Sequence, residues 1–345
     1  GVGKSRLLEE VANRARLEGA LVATVRAVEA DLAEPDGALL ALARGTLATA
    51  PGAAGAPNAA VAALARRLPE WEQRFPAAGR EHEGMALPAA LQEVLRSVLE
   101  DQPAVVIVDD AQWVDRDSLL GLAAWLRDLS ALPLFLLIGT TSPPARPELD
   151  AIQVRIPRDL AGAMIRLEPL GEAALGQLAG WALPRYIEAD RARLTRRLLH
   201  DSAGLPLLAV ELLHAVALGL DLEQEESVWP APLRTLTHTL PGELPVAVVS
   251  AIRIGFRRLS AAGQRLLIAA AVLEVRVTPA LLQRATGMSA GEVDAALDEL
   301  EWQRWLVAEP RGYRFVARVA REVVAGDMVT AGQRERLRTA AADGA

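Results

Sequence analysis

The first residues of the chain have types and a spacing that suit phosphate chemistry. Gly1-Val2-Gly3-Lys4-Ser5 matches the C-terminal part of a phosphate-binding loop. Glycines let backbone amides close around an anionic phosphate, and the N-terminus of the following helix adds partial positive charge. In that chemistry Lys4 reaches the β- and γ-phosphates of a nucleotide, and the Ser5 hydroxyl binds Mg²⁺. The alternative is an ordinary glycine-rich helix cap, and five residues alone do not separate the two interpretations.

Two adjacent carboxylates follow an apolar run about 105 residues after this loop. The run Val105–Val108 predicts a buried strand that delivers Asp109 and Asp110 at its carboxyl end, where an open α/β sheet places its ligand. Asp109 is predicted to hold Mg²⁺, directly or through water. Asp110 is predicted to orient or deprotonate an attacking water. Turn or helix-capping aspartates are the alternative, but the combination with the loop favours nucleotide hydrolysis.

Hydrophobic patterning predicts the elements that position these residues. Helical periodicity begins after Ser5, and residues 50–58 predict a mobile surface loop between helices. Four apolar runs predict strands: Leu21–Val25, Ala104–Asp110, Leu134–Gly139 and a weaker one at Met164–Leu167. Continuous apolar strands that alternate with helices indicate a parallel sheet covered on both faces. Helical patterns then continue to about Leu218.

The C-terminal part of the chain has a different character. Residues 219–245 contain four prolines and an acidic run, which predicts a linker. Three helical patterns follow at Ser260–Leu273, Thr278–Thr286 and Ser289–Trp305, the last opening with a capping box. Leu306–Glu309 and Tyr313–Val316 flank a turn and predict a β-hairpin. Three helices and a hairpin predict a winged-helix domain, followed by a last helix to about Ala342.

Composition limits the classes of function. Hydrophobic residues make up 51% of the 345 residues, enough for a sizeable core. The absence of cysteine excludes disulfides and cysteine-based metal sites, and is typical of a cytoplasmic protein. A net charge of −7 argues against a general nucleic-acid-binding surface. No apolar run of about 18 residues predicts a membrane span, so we expect no membrane partner.

The motifs also carry a family resemblance. Gly1–Glu10 and Val105–Asp115 resemble the Walker A and Walker B segments of the STAND branch of AAA+-related ATPases, found in large LuxR-type and other multidomain bacterial regulators. Asp201–Leu213 is similar to the glycine-x-proline segment of that family. The resemblance implies ATP and Mg²⁺ as cofactors, contacts from Gly1, Val2, Gly3, Lys4, Ser5 and Arg6 to the nucleotide, and packing of Pro206 against adenine.

The resemblance implies an α/β P-loop core followed by two further parts. The predicted organisation is a nucleotide-binding domain over residues 1–168, a helical lid over 169–219, a linker over 220–245, a winged-helix domain over 246–325 and the start of a helical region over 326–345. The phosphate loop should carry an earlier glycine and a preceding strand, so we expect the first strand of the sheet to lie before Gly1. Sensor and effector domains outside the fragment are the implied partners, with ATP, ADP and a possible nucleotide-dependent oligomer.

Two departures from the family pattern bear on turnover. Relatives usually carry an arginine shortly after the Leu134–Gly139 strand, where this chain has Ser142. Relatives often have a histidine two residues past the wing phenylalanine, where this chain has Ala317. The expected function is an ATP-binding, slowly hydrolysing signalling switch of a multidomain, transcriptional regulator. The alternatives are a scaffold that no longer binds nucleotide and a DNA-binding winged helix, although the helix Ser289–Trp305 is acidic and would repel phosphates.

Overall fold

A computed structural model describes residues 2–76, 85–141, 145–218, 246–273 and 276–342. The chain divides into two compact units. The first unit is Lys4–Arg166, and the second is the chain from Leu167 onward, to which Gly3 also belongs. Within the described residues, no helix is long and apolar enough to cross a membrane.

The first unit is built on a three-stranded parallel sheet. Its strands are β1 (Leu21–Arg26), β2 (Ala104–Asp109) and β3 (Leu134–Ile138), in the spatial order β1-β2-β3. The helices of this unit are α1 (Lys4–Leu17), α2 (Gly37–Leu42), α3 (Asn58–Ala65), α4 (Pro69–Arg74), α5 (Leu87–Asp101), α6 (Arg116–Asp128) and α7 (Pro147–Arg155). The predicted parallel sheet with flanking helices is confirmed.

Strand β2 is buried along its whole length because both faces of the sheet are covered. Val106 and Val108 belong to the large core formed with α2, α3, α5 and α6. Val105 and Ile107 belong to a smaller cluster with Ala12 of α1. Successive side chains of a strand point to opposite faces, so a strand between two helical layers must be apolar at every position.

The segment predicted to be a mobile surface loop lies at the surface in part but also packs against α5. Ala50, Ala53 and Ala56 are buried, whereas most of the other residues of 50–58 are exposed. Pro51–Gly55 forms a 3₁₀ turn against α5. A Cβ built on Gly52 would lie 2.8 Å from Cα of Val98, and the Ser97 hydroxyl donates a hydrogen bond to the Gly52 carbonyl at 2.7 Å. Small residues signal flexibility in an isolated chain, but here they let two backbones approach closely.

The predicted strand at Met164–Leu167 was also wrong. Residues 162–171 have no regular secondary structure, and Met164 and Ile165 are exposed. A β-strand needs a hydrogen-bonded partner, and the described residues provide none for this segment. Its apolar composition therefore did not suffice to form a strand.

The second unit is mainly helical. Its elements, in chain order, are α8 (Glu172–Ala182), α9 (Glu188–Ser202), α10 (Pro206–Leu218), α11 (Val246–Arg257), α12 (Ala261–Val272), α13 (Pro279–Thr286), α14 (Ala290–Trp302), β4 (Leu306–Glu309), β5 (Gly312–Phe315), α15 (Arg318–Asp327) and α16 (Ala331–Ala342). The hairpin of β4 and β5 is antiparallel, as predicted. Helix α11 was not predicted, and the predicted linker at 220–245 lies outside the described residues.

Side-chain caps explain where three of these helices begin. The hydroxyls of Ser260, Thr278 and Ser289 accept hydrogen bonds from backbone amides in the first turns of α12, α13 and α14. The Glu292 carboxylate accepts a hydrogen bond from the Ser289 amide, so the predicted capping box is confirmed. Each cap satisfies amides that have no partner within the helix, which contributes about 1 kcal/mol.

Candidate functional site

The ends of the three strands bring the candidate residues to one edge of the sheet. In the parallel register Arg26 pairs with Asp109, and Val108 pairs with Ile138. Asp109 therefore lies between the end of β1 and the residues that follow β3. This is the carboxyl edge, where open α/β sheets bind their ligands.

Lys4 reaches this edge from the start of α1. Its ammonium Nζ donates a hydrogen bond to Oγ1 of Thr141 at 2.7 Å. Lys4 is the only lysine in the chain, since 36 of the 37 basic residues are arginines. A compact, strongly hydrated ammonium suits a phosphate as a point charge, whereas a guanidinium is broad and planar. The phosphate contact of Lys4 stays a prediction.

The two predicted acids differ in their surroundings. Asp109 is 7% exposed, and its Oδ1 accepts a hydrogen bond from the Asp110 amide at 2.9 Å. Asp110 is the more accessible, and its φ of 54° turns the chain sharply away from the strand. The carboxylate of Asp110 accepts from Arg26 and from Gln112. The buried acid can thus fix a cation while the accessible acid can face a water molecule.

Gly139 leaves space at the place where α1 and β2 meet. A Cβ built on Gly139 would lie 2.8 Å from Cδ1 of Leu8 and 3.0 Å from Oδ1 of Asp109. A side chain at residue 139 would therefore press on both helix α1 and the buried carboxylate. Glycine at residue 139 therefore leaves room for the Asp109 carboxylate beside the sheet.

Arg26 was missed by sequence reasoning. Its Nε lies 3.2 Å from Oδ2 of Asp110 and 3.9 Å from Oδ2 of Asp109. The signal was present, because Arg26 directly follows the predicted strand Leu21–Val25 and parallel strands end at a common edge. Its side chain is 69% exposed, so the pairing stabilises the fold by no more than about 1 kcal/mol. Its cation nevertheless offsets part of the charge of the acid pair.

Other predicted residues have different surroundings. Arg6 lies on the exposed face of α1 and pairs with Glu9 and Glu10, away from the acid pair's contacts. Ser5 is exposed in the first turn of the same helix. Val2 is half-buried, and Gly1 lies outside the described residues.

Three further predicted positions belong to the later part of the chain. Pro206 is the first residue of α10, and a Cβ built on Gly3 would lie 3.9 Å from its Cγ. Ala317 is buried and precedes α15, so its small side chain serves packing. Ser142 lies outside the described residues. Asp115, which ends the second motif, caps α6 by accepting a hydrogen bond from the Ser118 amide at 2.9 Å.

Comparisons with known proteins agree with this geometry. The family model described as "AAA ATPase domain" matches residues 1–138. A Walker-type ATPase of Pyrococcus abyssi matches with a TM-score of 0.50 and 16% identity over 94% of this chain and 88% of that chain. A search of curated proteins found no match.

Two further solved structures are less similar to this chain. The Orc1 protein of Aeropyrum pernix, solved in complex with DNA, has a TM-score of 0.42 and 16% identity over 95% of this chain and 85% of that chain. The RuvB Holliday junction branch migration motor of Thermotoga maritima has a TM-score of 0.34 and 14% identity, with 91% of each chain covered.

The parallel sheet, the acids at its carboxyl edge and the family match together define a class. They support a P-loop ATPase-type domain of the AAA+ kind in residues 1–138. The Pyrococcus abyssi similarity supports the fold.

Proposed function

We propose that the chain binds Mg·ATP at the carboxyl edge of the sheet and hydrolyses it slowly. One observation carries the proposal. Lys4, the sole lysine of the chain, contacts Thr141 just after β3, at the same edge of the sheet where Asp109 and Asp110 follow β2. Lys4 contacts the β- and γ-phosphates, and Thr141 holds the ammonium near that position before the nucleotide binds. Asp110 orients or deprotonates the attacking water.

The residues present fit a magnesium ion. Mg²⁺ prefers oxygen ligands and takes one or two from protein, with substrate phosphates and water supplying the rest. The Ser5 hydroxyl and the Asp109 carboxylate would hold it. When bound, the ion neutralises charge on the β- and γ-phosphate oxygens. Among the described residues no group of three His, Asp or Glu could form a metal cage, so the phosphates would complete the site.

The single lysine allows a direct test of the phosphate contact. An ATP derivative with an acyl group on its terminal phosphate transfers that group to a nearby amine. Labelling of the peptide that contains Lys4, suppressed by excess Mg·ATP, is the expected result. Lys4→Arg is the matched control, because it keeps the charge and removes the amine. Labelling that excess ATP does not suppress would contradict the proposal.

Affinity gives a second measurement. Lys4→Ala should weaken Mg·ATP binding by roughly 10- to 100-fold in calorimetry, since a hydrogen bond to a charged group is worth about 1.5–3 kcal/mol. Equal affinity of the wild type and Lys4→Ala would rule out the phosphate-loop assignment.

We further propose that nucleotide occupancy acts as a signalling switch in a multidomain regulator of transcription. In this proposal residues 169–219 form a helical lid in which Pro206 packs against adenine, and residues 246–325 form a winged helix. The similarity of Asp201–Leu213 to the glycine-x-proline segment supports the adenine assignment. A ligand can shift such a module only through different affinities for its two states.

DNA binding by the winged helix is the rival function. The exposed face of α14 carries Glu292, Asp294, Asp298 and Glu301. Burial of Tyr313, together with Glu301, Asp298 and Asp294, raises the pKa of its phenol. This surface would repel phosphates, so we assign α14 to contacts within the protein or with other proteins.

A further inference from the structure

Gln112 links two of the segments that carry the candidate chemistry. Gln112 lies in the 3₁₀ turn Ala111–Trp113, directly after Asp109 and Asp110, and is 4% exposed. Its Oε1 accepts a hydrogen bond from the Thr141 amide at 3.0 Å. Its Nε2 donates to Oδ1 of Asp110 at 3.2 Å. One buried amide thus contacts both the accessible acid and the residue that binds Lys4.

The chemistry of the partners fixes the orientation of this amide. The Thr141 amide can only donate, so it requires the oxygen of Gln112. The NH₂ group is then directed at a carboxylate, which can only accept when ionised. A reversed amide would place two donors together and two acceptors together. Both partners therefore hold the side chain in one orientation.

The backbone around Gln112 is held independently. The guanidinium of Arg146 is largely buried, and its Nη1 donates to the carbonyls of Gln112 at 2.8 Å and Val114 at 2.7 Å. The Ala111 amide donates to the Gly139 carbonyl at 2.8 Å. With the backbone anchored at these points, the position of the Gln112 amide depends only on its own torsions. Its bonds with Thr141 and Asp110 fix these torsions, together with a longer bond of 3.5 Å that Oγ1 of Thr140 donates to the same Oε1.

We propose that Gln112 is a positioning residue that sets the separation between the Asp110 carboxylate and Thr141, and through Thr141 the Lys4 ammonium. The inference rests on the proposed function, because the fixed separation serves to hold the attacking water at the right distance from the terminal phosphate. A displacement of about 1 Å in such a geometry can cost about 100-fold in rate.

Two substitutions separate the hydrogen bond that Gln112 accepts from the Thr141 amide from the one that it donates to Asp110. Gln112→Leu removes both, and with them the acceptor of the Thr140 hydroxyl. The Thr141 amide should therefore exchange its hydrogen at least about fivefold faster, which corresponds to the net value of one hydrogen bond. Gln112→Glu keeps an oxygen for Thr141 and places a second carboxylate beside Asp110. Exchange at Thr141 should then stay slow while Asp110 is displaced. For both variants kcat should fall about 10- to 100-fold, with KM for ATP within about threefold of the wild-type value.

Gln92→Leu is the matched control. Gln92 also donates to a carboxylate, that of Asp128 at 3.4 Å, but it lies on α5 away from the strand ends. The Gln92→Leu variant should leave hydrogen exchange at the Thr141 amide, kcat and KM unchanged. Melting temperatures show whether each variant is folded, and Gln112→Glu keeps the native side-chain size if Gln112→Leu does not fold.

Each outcome decides between the proposals. Unchanged Thr141 exchange in Gln112→Leu overturns the inference whatever the protein does with ATP. Faster exchange with an unchanged kcat overturns the positioning role. A wild type that does not bind Mg·ATP contradicts the proposed function instead, and the exchange result then decides the link through Gln112 alone.

Discussion

The ammonium of Lys4 donates a hydrogen bond to the hydroxyl oxygen of Thr141, 137 positions later in the sequence. The bond joins the first turn of α1 to the residues that follow β3. It places a positive charge at the edge of the sheet where β2 delivers its two carboxylates. An ammonium has three N–H donors, so in the proposed function a terminal phosphate can accept from Lys4 while the Thr141 hydroxyl keeps its own bond.

Substitution of Asp109 and of Asp110 should affect different steps, nucleotide binding in the first case and hydrolysis in the second. Asp110→Asn should slow phosphate release by about 10²- to 10⁴-fold with little change in ATP affinity, because it removes the group that orients or deprotonates water. Asp109→Asn should instead weaken binding that depends on Mg²⁺, and the loss should disappear when EDTA is present throughout. Steady-state phosphate release and calorimetry are measured side by side. Unchanged hydrolysis with collapsed affinity in Asp110→Asn would show that the two roles are reversed.

A buried carboxylate in the second unit should make its stability depend on pH. Asp201 is fully buried between Arg318, at 2.5 and 3.0 Å, and Arg197, at 2.7 Å. Burial by itself raises the pKa of Asp201, but the hydrogen bonds from Arg318 and Arg197 outweigh it and hold the pKa below its ordinary value. The ionised form therefore favours the folded state.

The sign of this dependence follows from the depressed pKa. The stabilisation is fully present above the unfolded pKa of about 3.9 and is lost as pH falls through the lower folded pKa. Asp201→Asn should cost about 3 kcal/mol at pH 7, and urea melts should show the difference shrinking below about pH 4. Asp327→Asn, which breaks a more exposed pair with Arg253, should cost less than about 1 kcal/mol. Equal costs for the two variants would contradict this prediction.

Gly204 should be far more sensitive to substitution than another glycine with the same backbone angle. Gly204 has φ +71°, and a Cβ there would lie 2.2 Å from the Leu170 carbonyl oxygen. Gly287 has φ +67° with nothing within 4 Å of a built Cβ. Gly287→Ala should cost about 1–2 kcal/mol for the left-handed conformation alone. Gly204→Ala adds a clash with backbone and should cost more than about 3 kcal/mol in denaturant melts.

This pair of glycines also distinguishes two explanations of the glycine-x-proline segment. If Gly204 served only nucleotide binding, Gly204→Ala would melt like the wild type without ATP and lose only the stabilisation that ATP adds. The contact with Leu170 predicts a loss of stability without any nucleotide.

The acidic face of α14 should prevent non-specific DNA binding. The whole chain mixed with random duplex DNA at low salt should show no mobility shift, because phosphates and the exposed acids repel each other. The charge-reversing variant Asp294→Lys combined with Asp298→Lys tests whether charge is the obstacle, since it should bind more tightly than the wild type. Micromolar binding by the wild type would favour the rival function.

Local sequence patterns were sufficient to predict most strands of the sheet and the capping box of the second unit. Strand β2 was predictable because a strand buried on both faces must be apolar throughout, and its acids had to follow at the carboxyl edge. Ser289 and Glu292 were predictable because a capping box involves residues three positions apart. Such features depend on neighbours in sequence, so composition and spacing determine them.

Patterns misled where a partner elsewhere in the chain decided the result. The glycines and alanines of residues 50–58 predicted a loose loop, yet α5 lies close enough to pack against them. Met164–Leu167 had the composition of a strand, but a strand forms only where another strand supplies its hydrogen bonds. In both cases the outcome depended on contacts that the local sequence does not encode.

The sequence by itself determined which residues could bind phosphate, hold a cation and activate water. Only the tertiary structure decided which side chains meet them. Thr141, Arg26 and Gln112 became candidates through the register of three parallel strands, with Arg26 lying 84 positions from the carboxylate it contacts. Side-chain contacts at such separations depend on how strands align and how turns leave them, and that alignment is set by packing of the whole core rather than by any local run of residues.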